Sequence, residues 1–346
     1  MITTIELEDL RGVRQGNVGP LAPLTVLVGP NGAGKSAVLE AIAIGASHRP
    51  GALVGQVVHA RGGWGGAAYL VRAGAAEARV RVVLGSGAVR STRLRFQPTD
   101  APLEPAEAPP DVHPQAPLSS ITLHQAVDGP LGSNAPTAVR TLFALNNAYG
   151  HRPTPELPGG LRVRLLHPVA TRSHPLWRTL SEAVRSGRAQ AAVDLLRPVL
   201  GADLQDLLYL PEGDDGRVGN VHLRYPWGAV PVDVAGDGAR ALVRIALELA
   251  AQPAEVVLIE EPEVHLHPGA IWAVARALLE ARRGGVQLIL STHSLELIDA
   301  LVAQAGPTLD DVAVIRLVLA DGNLRAHTIP GAELALLRGE LAEELR

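Results

Sequence analysis

Of the 31 basic residues in this 346-residue chain, only one is a lysine. It stands in the run Gly29-Pro30-Asn31-Gly32-Ala33-Gly34-Lys35-Ser36. A chain that uses arginine everywhere else keeps an ammonium here, where a compact point charge and a planar fork are not interchangeable. The spacing G-x-x-x-x-G-K-S forms a phosphate-binding loop when a strand precedes it and a helix follows. Residues 24–28 (LTVLV) are an apolar run of strand length, and a helical pattern extends from Lys35 to about Gly45. In such a loop the glycines let successive N–H groups turn toward the phosphates, and the helix N-terminus adds its partial positive charge. Lys35 then reaches the β- and γ-phosphates, and the Ser36 hydroxyl ligates Mg²⁺. Gly29, Pro30, Asn31, Gly32, Ala33, Gly34, Lys35, Ser36 and Ala37 are therefore the expected nucleotide contacts. In this composition a chance match of that pattern around one lysine arises roughly once in a thousand.

The other half of such a site needs acids at a neighbouring strand end. Residues 256–261 read VVLIEE, an apolar strand whose carboxylates emerge at the C-terminal edge of the sheet. Glu260 is expected in the Mg²⁺ shell, and Glu261 is expected to orient or deprotonate the attacking water. A solvated Glu pair at a strand end is the plainer reading, and it weakens beside Lys35. Residues 288–294 (LILSTHS) form another apolar strand, with His293 just past its end. There it can hydrogen-bond a γ-phosphate, although a lone histidine at a strand end is usually structural. Gly236, Asp237 and Gly238 open a helix with Leu242, Ile245, Ala246 and Leu249 on one face. That start is a second, weaker anion cradle.

Composition sets the frame. Hydrophobic residues are 47% and charged residues 19%, which excludes disorder as the ground state. A net charge of −4 leaves no global field for nucleic acid, so any such contact is a local patch. The absence of cysteine excludes thiolate metal sites and a cysteine nucleophile. No stretch approaches 18 apolar residues and the first residues carry Glu6, Glu8 and Asp9, so the expectation is a cytoplasmic protein with no membrane span. The fold expected is α/β, with a mainly parallel sheet over 1–50 and 218–346. Residues 51–97 read as an antiparallel β subdomain, 98–135 as a proline-rich linker, and 136–217 as a mainly helical insertion.

Phosphate loop, Gly-rich helix start, acidic strand and histidine strand, in that order, resemble the ABC-type ATPases. The stretches Ile259-Glu-Glu-Pro-Glu-Val-His-Leu-His-Pro268 and Ser291-Thr-His-Ser294 make the chain most similar to the branch containing RecF-like, SMC-like and Old ATPases. Gly236-Asp237-Gly238, Trp272, Gln287 and the closing Glu-Leu-Arg resemble a group of prokaryotic ATP-binding proteins. The resemblance implies an ATP- and Mg²⁺-dependent homodimer. ATP would be sandwiched between the phosphate loop of one protomer and the Gly-Asp-Gly start of the other. It also implies a nucleotide role for Arg11, and an interface role for the loop from His265 to Pro268. A DNA transaction in repair or phage defence, with a separate nuclease or other effector, is the function it implies. Gln56, Gln97 and Gln125 are open choices for the glutamine that joins nucleotide to inserted domain. Gly236 stands where a serine is common, and Arg240 lies one position before the usual arginine.

Other readings compete. His265, His267 and His293 could be read as a metal cluster, but the ATPase reading already explains each position. Arg79, Arg81, Arg93 and Arg95 alternate with apolar residues, which makes a solvated strand face or, less often, a nucleic-acid patch. The 53 residues after His293 lack a D-x-D pair, so no nuclease is expected within this chain. A transporter ATP-binding subunit and a non-catalytic ATP-dependent scaffold are the rival functions.

Overall fold

The computed structural model describes residues 1–60, 67–99, 118–128, 134–144, 156–167, 175–212, 218–251 and 254–339. The N-terminal part contains β1 (Ile2–Leu10), β2 (Val13–Val18), β3 (Leu24–Val28), α1 (Lys35–Ala46) and α2 (Pro50–Ala60). Next come β4 (Ala78–Leu84), β5 (Val89–Thr99), β6 (Leu118–Asp128), β7 (Asn134–Ala144) and β8 (Val163–Leu166). The middle closes with α3 (Leu176–Arg185), α4 (Ala189–Leu200), β9 (Asp206–Glu212), β10 (Val218–Tyr225) and β11 (Gly228–Pro231). The C-terminal part has α5 (Asp237–Ala250), β12 (Val256–Glu260), α6 (Pro268–Arg283), β13 (Gln287–Ser291), α7 (Leu295–Ala305), β14 (Val312–Ala320), β15 (Asn323–Pro330) and α8 (Gly331–Gly339).

Twelve strands form one sheet in the order β7-β6-β5-β4-β1-β2-β15-β14-β3-β13-β12-β8, and β9, β10 and β11 form a second, antiparallel one. The stretch β14-β3-β13-β12-β8 is parallel throughout. Its centre is apolar on both faces: every residue of β3, β12 and β13 is buried, as a strand covered on both sides requires. Helix α1 lies on one face, with eleven of its twelve residues buried. Helices α5, α6 and α7 carry the apolar residues of the other core. A parallel α/β core follows, as the alternation of apolar runs and helical patterns predicts.

The expected antiparallel strands are present but continue the same sheet instead of standing apart from it. Within 52–96 the first segment is a helix, α2, and not a strand. Its Val-rich run VVHA has strand propensity, yet Leu53, Val54, Val57 and Val58 recur at helical spacing and bury together against the α1 side. The stretch read as mainly helical from 136 contains β7 and β8 before its helices begin at Leu176. Pro98 lies within β5 and Leu118–Asp128 form β6 inside the stretch read as a linker, while residues 61–66, 100–117 and 129–133 fall outside the described residues.

Candidate functional site

The parallel core aims four segments at one edge. β3 feeds the loop 29–34, β13 delivers Thr292 and His293, β12 delivers Glu260 and Glu261, and β8 delivers His167. Because β13 lies between β3 and β12, the histidine strand separates the loop from the acids. Thr292 N–H donates to Leu27 O at 3.1 Å and Glu261 N–H to Ser291 O at 2.9 Å, so the strand ends are tied together beyond the ladder.

The loop has the backbone that the glycine spacing predicts. Gly29, Gly32 and Gly34 have φ of +141°, +80° and +94°, where L side chains are strained. A Cβ on Gly29 would also sit 2.4 Å from the Leu317 carbonyl oxygen of neighbouring β14. Asn31 and Gly32 are exposed and Ala33 is buried. Lys35 is 7% exposed and folds back over the loop. Its Nζ donates to Gly29 O at 2.8 Å and Pro30 O at 3.2 Å, and lies 2.9 Å from His293 Nε2. An ammonium can only donate, so that ring nitrogen accepts. Burial pushes the Lys35 ammonium below its usual 10.5, opposed by Glu261, Glu260 and Glu263. The cation is held over the cradle by carbonyls that a phosphate would outbid.

Ser36 Oγ donates to Glu260 Oε1, and the other oxygen, Oε2, lies 2.5 Å from His167 Nδ1. A hydroxyl and a buried carboxylate suit Mg²⁺, which keeps several waters and takes one or two protein oxygens. Among the described residues no group of three His, Asp or Glu could hold a metal unaided. Glu261 has φ +46° and Oε1 3.5 Å from His293 Nε2. It is the less buried of the two acids, on the open side of the strand end. Glu263 accepts from Thr292 Oγ1 at 2.6 Å and from the His293 N–H at 2.9 Å. It therefore fixes the His293 loop. Neither His167 nor Glu263 was singled out by sequence. The Glu-x-Glu spacing at 261–263 was a usable signal for one, whereas His167, after the short run 163–166, gave none.

The remaining expected residues are placed as follows. Arg11, at φ +55°, donates through Nε to the buried Glu40 of α1 at 2.6 Å. Its Nη2 is buried and has no hydrogen-bond partner among the described residues. Gly236, at φ +99°, and Asp237 open α5 with no side-chain cap, and both are exposed. Arg240 pairs with Asp237 at 3.1 Å, and a Cβ on Gly238 would meet His265 O at 2.7 Å. The helix start thus abuts the 261–265 segment. A cavity of about 220 Å³ beside it is lined by Asp237, Arg240, Glu260, Glu261 and His265 among others.

Three further readings concern the glutamines, the histidines and the arginine face. Gln56 spends its amide on Leu165 O, and the strands that carry Gln97 and Gln125, whose side chains lie outside the described residues, stand at the other end of the strand order from β3. His267 Nδ1 accepts from Gly269 N–H as the cap of α6, which removes it from any histidine metal cluster. The arginine face is an ion-pair ladder: Arg79 meets Glu77 and Glu8, Arg81 meets Glu6, and Arg95 meets Glu77. β1 runs antiparallel beside β4 and places its glutamates opposite those arginines.

Comparison with known proteins finds likenesses in sequence and in fold. Residues 4–57 match an AAA domain family, and residues 227–299 match the family described as AAA domain, putative AbiEii toxin, Type IV TA system. A 45-residue stretch is 42% identical to the Old nuclease of Escherichia phage P2. That stretch is 13% of this chain and 8% of the nuclease, so the chain spans only a small part of that relative. An SMC head bound to the C-winged helix domain of ScpA superimposes with a TM-score of 0.52 at 14% identity, over 95% of this chain and 98% of the other. An SMC head with an extended coiled coil, bound to a ScpA C-terminal domain derived from Pyrococcus furiosus, gives 0.51 at 14%, over 99% of each. At that identity the likeness is one of fold. Among the described residues no helix is long and apolar enough to cross a membrane.

Proposed function

We propose that this chain, whose residues 4–57 and 227–299 match AAA domain families and whose fold is like that of an SMC head, is an ATP-hydrolysing switch of the Old/RecF/SMC branch. One observation carries the reading. Lys35, Ser36, Glu260, Glu261 and His293 come from three adjacent parallel strands and converge on one edge, with contacts of 2.9 Å and 3.5 Å linking His293 to Lys35 and Glu261.

Each residue has a role that its position supports. The N–H groups of 32–36 and the start of α1 receive the phosphates. Lys35 exchanges the Gly29 and Pro30 carbonyls for phosphate oxygens. Ser36 and Glu260 would hold Mg²⁺, which supplies charge neutralisation at the β- and γ-phosphates. Glu261 orients the attacking water and takes its proton. His293, whose Nε2 accepts from the Lys35 ammonium and lies 3.5 Å from Glu261, would report a γ-phosphate. The exposed Gly236–Gly238 helix start serves the partner's nucleotide in a homodimer. The likeness to the Old nuclease supports action on DNA through a separate effector.

Phosphate release with ATP and Mg²⁺, with and without DNA, tests this. Lys35→Ala and Lys35→Arg should both abolish turnover, since a planar fork does not replace a point charge here. Glu261→Gln should bind ATP and turn over about 10²–10⁴-fold more slowly. Near-normal turnover in Lys35→Arg would overturn the assignment, and tight ATP binding with no phosphate release in the wild type would favour a scaffold.

A further inference from the structure

We propose that His167 is a positioning residue for the metal side of this site: its Nδ1 holds the Glu260 carboxylate toward Ser36, and its Nε2 is an acceptor for water at the nucleotide edge. The inference rests on the reading of the site as an ATPase, and extends it to a residue that reading does not use.

The placement comes from the sheet. β8 is the edge strand next to β12, in parallel register with Leu166 opposite Ile259. His167 is one residue beyond that pair, level with Glu260. The histidine is 6% exposed and Glu260 is 9% exposed. An ionised carboxylate only accepts hydrogen bonds, so the 2.5 Å contact requires the proton on Nδ1. One oxygen of Glu260 is thereby committed to His167 and the other faces Ser36. A carboxylate pinned on one oxygen has its second oxygen aimed, which is how outer partners tune metal-binding acids.

The ring's other nitrogen makes the stronger case. Nε2 is buried and has no hydrogen-bond partner among the described residues. Leaving a buried polar atom unpaired is costly, and a packing histidine would have found a partner. With the proton on Nδ1, a neutral ring has its lone pair on Nε2. His167 lines the cavity it shares with Glu260, Glu261 and Asp237, and Nε2, closed to solvent as the chain stands, becomes an acceptor for water once the ring shifts toward that cavity. β8 is itself anchored by Gln56, whose Nε2 donates to Leu165 O at 2.5 Å. That contact holds the strand end, and with it the ring, against α2.

The two nitrogens can be separated by substitution. An asparagine amide overlies Nδ1 and has nothing at the position of Nε2. Mn²⁺ replaces Mg²⁺ as the probe, titrated by electron paramagnetic resonance against protein saturated with a non-hydrolysable ATP analogue. His167→Ala should weaken Mn²⁺ in the ternary complex by about 10–100-fold. Nucleotide binding in EDTA should not change. His167→Asn should restore Mn²⁺ affinity to within a few-fold of wild type while turnover stays reduced. Wild-type Mn²⁺ affinity in His167→Ala would overturn the proposal. So would equal losses in both variants, which would mark a packing role, and so would full turnover in His167→Asn, which would leave Nε2 without work. Failure of the wild type to bind nucleotide at all would instead overturn the ATPase reading.

Discussion

Lys35 is more useful to this protein's chemistry than to its stability. Its ammonium is almost buried, and burial holds it below the ordinary lysine value in spite of three nearby glutamates. The folded chain therefore binds that proton less readily than the unfolded chain. Stability then rises with pH as it passes from the lowered folded value up to 10.5, and at neutral pH the charged lysine is a burden. Lys35→Met keeps the stem and removes the charge. It should leave the melting temperature of the nucleotide-free protein unchanged or higher, while the rise in melting temperature on adding ATP and Mg²⁺ disappears. A large drop without nucleotide, read by differential scanning fluorimetry, would show that the ammonium holds the loop together. At this scale the sequence was informative where residue type and spacing are both demanded: Lys35 and Ser36 stood out by themselves, and Glu260 and His293 gained meaning only beside them. His167 did not, because its role depends on a strand pairing between residues more than ninety positions apart. Arg11 is intermediate. Its neighbours were legible, but its commitment to Glu40 needed the packing of α1.

Elements show where periodicity succeeds and fails. β3, β12 and β13 were legible because short runs of continuous apolar residues, each followed by polar ones, fit only strands buried on both faces. β8 was missed for the opposite reason. Its four residues include Arg164, which pairs with Glu182 and Glu248, and a strand of that length carries no period. α2 was taken for a strand because valine favours strands locally, and tertiary burial overrode that preference. The first strand depends on one side chain far away in sequence. Gln287 is 3% exposed at the start of β13, accepts from Ile2 N–H at 2.7 Å, and donates to Ile2 O at 2.8 Å. It joins the parallel core to β1. Gln287→Ala would strand both groups of Ile2 on that side and leave a small void. The expected cost is about 1–3 kcal/mol of stability, a few degrees in thermal unfolding. ATP affinity at low temperature should stay within about twofold, because the C-terminal ends of β3 and β13 are untouched. A loss of affinity matching the loss of stability would mean that β1 and the loop move together.

The whole molecule leaves one feature without a use inside a single chain. α5 begins on an exposed Gly236 with no side-chain cap, so its first N–H groups have no intrahelical acceptor. A helix end of this kind favours an anion. Its own first turn offers only Asp237, which is drawn to Arg240. In a homodimer sandwiching ATP, the partner's γ-phosphate would complete it, and ATP would dimerise the protein while ADP would not. Ala239→Glu gives the test an unusual sign. Ala239 is the third residue of the helix counted from the cap, where a glutamate reaches back to the exposed N–H groups. The variant should raise monomer stability by about 0.3–1 kcal/mol through the helix dipole, yet place a carboxylate where the phosphate must arrive. In a Glu261→Gln background with saturating ATP and Mg²⁺, light scattering should show dimers. With Ala239→Glu added, the protein should stay monomeric while still binding ATP. Mixing Lys35→Ala and Ala239→Glu protomers, each with wild-type Glu261, then puts both defects in one composite site and neither in the other. Part of the ATPase activity should return in the mixture although each variant alone is inactive. A Glu261→Gln protein that remains monomeric with ATP, or an Ala239→Glu variant that dimerises as readily as its parent, would mean that this helix start serves some other anion.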